Sequence, residues 1–130
     1  MITVLAGGTG SVKIVRGFVS QESKVNVISN VGDNYWMHGL YICPDIDTIV
    51  YGLADLLDQE KGWGIKKDTF NFLRQMEVFG EDTWFRIGDR DAATNLNQVS
   101  SPNTSIWRKK LNVSFLIPHP FSWSNKSANP

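Results

Sequence analysis

The chain opens with Ile2-Thr3-Val4-Leu5 and runs directly into Ala6-Gly7-Gly8-Thr9-Gly10-Ser11. A β-branched, apolar run ending in glycines predicts a strand and a tight turn, and the residues from Val12 to Phe18 then predict a helix. Glycines let the backbone approach a ligand closely, and a helix N-terminus presents free N–H groups to an anion, for which phosphate is the natural guest. The loop is neither Gly-x-Gly-x-x-Gly nor a Walker loop ending in Gly-Lys-Ser/Thr. A plain tight turn therefore stays open beside phosphate binding.

Further along, the pattern alternates. Ile2–Leu5 reads as a strand, Lys13–Val19 as a helix and Lys24–Ser29 as a second strand that ends at Asn30-Val31-Gly32-Asp33-Asn34. Asp47-Thr48 can cap a helix from Ile49 to about Leu57. Phe70, Phe72, Leu73, Met76 and Phe79 give Thr69–Phe79 a helical period, closed by Gly80. Trp84-Phe85-Arg86-Ile87 reads as a short strand into Gly88-Asp89-Arg90-Asp91. Strands alternating with helices predict an α/β fold on a parallel sheet, whose ligands gather at the carboxyl ends of the strands.

At 130 residues the chain is at most one ordinary domain. No apolar run is long enough to span a bilayer, and the N-terminus lacks the basic start and cleavage site of a signal peptide. Cys43 is the only cysteine, which excludes an intrachain disulfide and a cysteine zinc cluster and suits a reducing cytoplasm. It reads as a buried small hydrophobe. All 13 acidic residues lie in positions 1–99, giving that stretch a net charge of −4, while the last 31 residues carry +4. Only Arg108-Lys109-Lys110 is clustered there, too little for a nucleic-acid stripe.

Four loops can carry chemistry. The Gly7-Gly8-Thr9-Gly10 loop offers backbone donors and two hydroxyls, and the Asn30–Asn34 loop a carboxylate and two amides. Cys43-Pro44-Asp45-Ile46-Asp47-Thr48 and Gly88-Asp89-Arg90-Asp91 each set two carboxylates two residues apart. Such pairs suit magnesium, which takes a few carboxylates, waters and substrate phosphate oxygens, and arginine grips phosphate in bidentate fashion. Each loop also has a plainer reading: Asp47 as an N-cap, Asp89-Arg90-Asp91 as a solvated turn with a surface ion pair. His38 reads as a hydrogen-bonded structural residue. Trp36, Tyr41 and Trp63 either stack a flat heterocycle or fill core. No Gly-x-Ser-x-Gly elbow or Cys/His pair supports covalent catalysis.

Seven pieces in order and spacing closely resemble the 2-phospho-L-lactate transferase family: Gly7-Gly8-Thr9-Gly10, Asn30-Val31-Gly32-Asp33, Trp36-Met37-His38-Gly39, Cys43-Pro44-Asp45-Ile46-Asp47-Thr48, Gly62-Trp63-Gly64-Ile65, Asp68-Thr69-Phe70 and Gly88-Asp89-Arg90-Asp91. The resemblance covers residues 1 to about 96. It implies a Rossmann-like, three-layer parallel sheet. It also implies a cytoplasmic, magnesium-dependent transferase of coenzyme F(420) biosynthesis, acting on small molecules and bound neither to nucleic acid nor to a membrane. Such an enzyme moves a phospholactyl or phosphoenolpyruvyl group from a guanosine diphosphate-linked donor to 7,8-didemethyl-8-hydroxy-5-deazariboflavin, releasing GMP. By the same resemblance Gly7, Gly8, Thr9 and Gly10 would cradle the donor phosphates. Asp45, Asp89 and Asp91 would hold Mg2+, and Asp47 and Arg86 would contact the deazaflavin. Asp47 would also orient the attacking hydroxyl or take its proton.

The resemblance has departures. Asn34 follows Asp33 where an acidic or variable residue often stands, and Asn95 replaces a histidine. Family chains are more than twice this long, so much of the guanine site, the rest of the sheet and the homodimer contacts are expected outside this sequence. Ser, Pro and Asn supply 15 of the last 31 residues, which predicts a poorly structured tail over 97–130 beside a 1–96 transferase portion. Trp107–Asn112 and Phe121–Pro130, shifted by one base after back-translation, resemble the family's downstream sequence, so the tail is expected to be a frameshifted product. The alternative to a transferase is a truncated, inactive nucleotide- or deazaflavin-binding fragment.

Overall fold

The computed structural model describes residues 2–21, 24–100 and 113–115. Strand β1 (Ile2–Ala6), helix α1 (Gly8–Gln21) and strand β2 (Val25–Ser29) form a βαβ unit. The strands pair in parallel, with Ile2 opposite Val25 and Ala6 opposite Ser29. A hairpin of β3 (Tyr35–Met37) and β4 (Leu40–Ile42) follows, then α2 (Pro44–Leu53), α3 (Asn71–Val78) and α4 (Asp89–Ser100). The chain returns as β5 (Val113–Phe115), parallel to β2, so the sheet order is β1-β2-β5. This is the α/β class with a parallel sheet that the alternating pattern predicts.

Alternation along the strands positions the layers. Val4, Ala6, Val25 and Val27 point to one face and are buried with Val12 and Val15 of α1 and Ile46, Ile49 and Val50 of α2. Leu5, one residue out of phase, is 79% exposed. A second core joins Met37, Leu40 and Ile42 of the hairpin to Leu73, Ile87 and Ala92. Cys43 is buried as read, and burial pushes its thiol up to about 12.

Several elements depart from the sequence reading. The α1 helix starts at Gly8, so Gly8 and Gly10 lie in its first turn and only Gly7 precedes it. The α2 helix starts at Pro44, five residues before Ile49, because a proline at the first position needs no N–H partner and two acidic residues follow where the helix dipole favours them. Trp84–Ile87 forms no strand, and Asp89 and Asp91 lie in the first turn of α4 rather than in a loop. The β3–β4 hairpin has no counterpart in the reading. Its turn residues His38 and Gly39 have φ of 50° and 76°, the two positive values that a two-residue type I′ turn requires. His38 is structural, as expected: its Nε2 donates to the Asp82 carbonyl at 2.7 Å. Apart from 97–100 and 113–115, the expected poorly structured tail and its frameshifted origin lie outside the described residues. Among the described residues no helix is long and apolar enough to cross a membrane.

Candidate functional site

The first turn of α2 lies between two candidate compartments. Asp45 turns toward the glycines at the end of β1: its Oδ1 accepts the Gly8 N–H at 2.7 Å, and its Oδ2 accepts from Asn30 Nδ2 at 3.0 Å. The same Asn30 nitrogen reaches Asp33 Oδ1 at 3.1 Å, and Asn30 Oδ1 accepts the Gly32 N–H at 2.9 Å. A shallow crevice of about 330 Å³ opens between the carboxyl ends of β1 and β2, lined by Ala6, Gly7, Ser29 and Asn30 among others. The Gly-rich turn therefore lies at a strand end. One of its N–H donors already serves a carboxylate.

Two residues on, Asp47 faces the other way. It is 5% exposed and lines a cleft of about 310 Å³ together with Thr48, Tyr51, Trp63, Gly64, Trp84, Phe85, Arg86 and Asp91. Trp84 stacks on Tyr35 with ring centroids 5.6 Å apart, and the Arg86 guanidinium sits 5.0 Å from the Phe70 ring centre. Flat apolar walls with a few convergent charges are the chemistry of a pocket for a planar polar ring system.

At the inner wall, Tyr51 donates its hydroxyl to Asp91 Oδ1 at 2.6 Å, and Asn95 Nδ2 donates to the same oxygen at 3.0 Å. Burial raises the Asp91 carboxyl above its usual range; the Tyr51 and Asn95 hydrogen bonds oppose that, while the charge of Asp68 adds to it. Tyr51 is raised as well, by burial first and then by Asp47 and Asp91. The Asn95 Oδ1 and Tyr35 hydroxyl oxygens are buried without a hydrogen-bond partner.

Asp89, on the same helical turn as Asp91, points elsewhere. It accepts from Thr69 Oγ1 at 2.6 Å, Phe72 N–H at 2.8 Å and Asn71 N–H at 3.2 Å, and so caps α3, whose N-cap residue Phe70 has no side-chain cap of its own. Those bonds, led by Thr69, hold its carboxyl down at about 2. In return Asp68 caps α4, accepting from the Arg90 and Asp91 N–H groups at 3.0 and 3.1 Å. Gly88 makes room for it: a Cβ there would stand 2.3 Å from Asp68 Oδ2.

Of the expected site residues, the fold brings Asp47, Arg86 and Asp91 into one cleft and Asp45 against Gly7 and Gly8. Gly10 has open space around it, and Thr9 donates to the Gly62 carbonyl at 2.6 Å. Asp45, Asp89 and Asp91 are not gathered. Among the described residues no three His, Cys, Asp or Glu side chains are grouped to hold a metal ion. The sequence reading did not single out Tyr51, Thr48 or Trp84 for the site. Tyr51 is one helical turn beyond Asp47, a spacing that could have flagged it once α2 was started at Pro44.

A model of the family described as 2-phospho-L-lactate transferase CofD matches residues 2–98. The 2-phospho-L-lactate transferase of Methanocaldococcus jannaschii is 42% identical over 101 residues, covering 76% of this chain and 32% of that protein. That of Methanocorpusculum labreanum is 41% identical over 98 residues, covering 74% and 32%. A phosphoenolpyruvate transferase of Nocardia farcinica is 42% identical over 98 residues, covering 73% and 30%. The chain spans about a third of the length of these curated relatives.

Proposed function

The chain belongs to the 2-phospho-L-lactate transferase CofD family, and from that premise we propose that it serves the phospho-group transfer of coenzyme F(420) biosynthesis. A phospholactyl or phosphoenolpyruvyl group passes from a guanosine diphosphate-linked donor to the ribityl hydroxyl of 7,8-didemethyl-8-hydroxy-5-deazariboflavin. The hydroxyl oxygen forms the new bond to phosphorus, the bond to the GMP oxygen breaks, and GMP leaves with the electron pair. Such a reaction depends on in-line positioning and charge neutralisation more than on covalent help from the protein. The homodimer and the cytoplasmic setting expected from the family are part of the same proposal.

The observation that carries this reading is the opposed facing of Asp45 and Asp47 on one helical turn. Asp45 meets the Gly-rich turn, while Asp47 lies in the aromatic-walled cleft with Arg86. A donor on the first side and a flat acceptor on the second would meet at the N-terminal edge of α2. Asp47 would orient the attacking hydroxyl and take its proton, and Arg86 would hold the ring system. Trp63 and Trp84 supply stacking surface.

Magnesium would neutralise phosphate charge in such a transfer. Asp45, Asp89 and Asp91 do not fit it as one ligand set: Asp89 is committed to the N-terminus of α3, and Asp91 to Tyr51 and Asn95.

The test is a titration of the full chain with the deazaflavin, followed by turnover with donor and magnesium. Asp47→Asn should cut acceptor use at least ten-fold and leave donor binding in place. Unchanged turnover in that variant would remove Asp47 from the reaction. Binding without turnover in the parent chain would favour a ligand-binding module over a transferase.

A further inference from the structure

We infer that Thr9 is a positioning residue shared by the two compartments, and that an anion at the Gly-rich turn and a ligand in the aromatic cleft weaken each other's binding through it. The inference rests on the proposed donor and acceptor sides.

Thr9 Oγ1 donates to the Gly62 carbonyl across 53 residues of sequence, at 2.6 Å. Gly62 belongs to a small closed loop. Its N–H donates to the Asp58 carbonyl at 2.8 Å, the Asp58 N–H donates to the Gly64 carbonyl at 3.0 Å, and Asp58 Oδ1 accepts from the Glu60 and Lys61 N–H groups. The base of the loop is tied by the Leu57–Ile65 bridge. These bonds hold the loop together as one unit. Trp63 and Gly64, which follow Gly62 on the returning side of the loop, form a wall of the cleft.

Thr9 is the second residue of α1, beside the Gly8 N–H that meets Asp45. A threonine hydroxyl has one proton to give. An anion seated at the turn draws that proton to itself, and the Gly62 carbonyl then loses its only side-chain tie to α1 among the described hydrogen bonds. The side of the loop that carries Trp63 loses that brace, and acceptor affinity falls. By linkage, a ligand that holds Trp63 in place keeps the Thr9 proton on Gly62 and weakens the anion by the same factor.

Pyrophosphate is the probe for the turn and the deazaflavin the probe for the cleft. Calorimetry first establishes that each binds the full chain alone. Acceptor titrations are then run with and without saturating pyrophosphate on the parent chain, Thr9→Ser and Thr9→Val. One net hydrogen bond corresponds to about three- to ten-fold in affinity. The parent and Thr9→Ser should lose that factor when pyrophosphate is present. Thr9→Val, which keeps the shape and lacks the proton, should bind acceptor weakly with or without it. Thr9 is exposed, and circular dichroism of all three chains confirms that they fold alike. Equal antagonism in Thr9→Val and the parent overturns the inference, as does a parent chain that binds both probes independently. If pyrophosphate or the deazaflavin does not bind alone, the corresponding side of the proposed function fails first, and the coupling falls with it.

Discussion

Asp68 and Asp89 exchange caps: Asp68, in the loop before α3, accepts the first N–H groups of α4, and Asp89, at the start of α4, accepts those of α3. Each carboxylate thus lies at the positive end of the other's helix, where orphan donors and the dipole both favour it. The exchange fixes the two helix starts against each other. The segment carrying Phe85 and Arg86 enters α4 at this junction, so the pair sets where the cleft's cation and its inner carboxylate Asp91 stand.

Asp89→Ala should therefore destabilise the fold by about 1 kcal/mol, the usual cost of losing a helix cap. The sign of its pH dependence follows from the lowered carboxyl. A group whose pKa falls from 3.8 to about 2 on folding stabilises the fold above the unfolded value and loses that contribution as pH drops from about 4 to about 2. Denaturant melts of the parent and Asp89→Ala should differ at pH 6 and converge near pH 2. A difference that persists there would show that the carboxylate charge is not the source.

Gly88→Ala should cost more than an ordinary loop substitution. The added methyl would stand 2.3 Å from Asp68 Oδ2 and 2.5 Å from its Cγ, so the carboxylate must leave the Arg90 and Asp91 N–H groups. Overpacking together with a lost cap corresponds to about 2–3 kcal/mol, read as a lowered Tm. In an Asp68→Ala background the carboxylate clash is gone and only the Cβ of residue 68, 3.0 Å away, remains, so Gly88→Ala should then cost clearly less.

These contacts also mark where the sequence is legible and where it is not. The βαβ start was readable because Ile2–Ala6 and Val25–Ser29 alternate in burial and the glycines punctuate them. The short hairpin was not read, although Met37, Leu40 and Ile42 are apolar in strand phase around His38-Gly39, since three-residue strands give the pattern little length. Trp84–Ile87 has strand-like composition but no ladder partner, and Trp84 lies on the surface while Ile87 is fully buried. The start of α4 depends on Asp68, about twenty residues away, which local capping rules do not see. In the site, it was the family resemblance that pointed to Asp47 and Arg86, and residue types alone offered only pairs of carboxylates. They could not tell that Asp89 and Asp91, two residues apart on a helix, face different neighbours.

Tyr51→Phe should be more damaging at neutral than at acidic pH. Asp91 is buried with its carboxyl raised, so the folded chain holds that proton more tightly than the unfolded chain does. Stability then falls as pH rises from the unfolded carboxylate value through the raised one. The Tyr51 hydroxyl moderates this by donating to the ionised form at 2.6 Å. Removing it raises Asp91 further and costs about 1.5–3 kcal/mol at pH 7, the range for a hydrogen bond to a charged group. Melts at pH 4 and pH 7 check it. An equal loss at both would mean that Asp91 holds its proton throughout.

Asp45→Asn separates two roles that the carboxylate could have at the Gly-rich turn. In the folded chain it occupies the Gly8 N–H at 2.7 Å, so without a cation it competes with an incoming phosphate for that donor and repels it. The amide keeps a carbonyl for Gly8 and removes the charge. With chelator present, Asp45→Asn should bind pyrophosphate about two- to five-fold more tightly than the parent chain, matching the 0.3–1 kcal/mol of a charge at a helix N-terminus. With magnesium added, the order should reverse if Asp45 helps to hold the ion between itself and the phosphate. Should the variant bind more tightly under both conditions, Asp45 acts only as a helix cap and competitor, and the cation must be held by other groups.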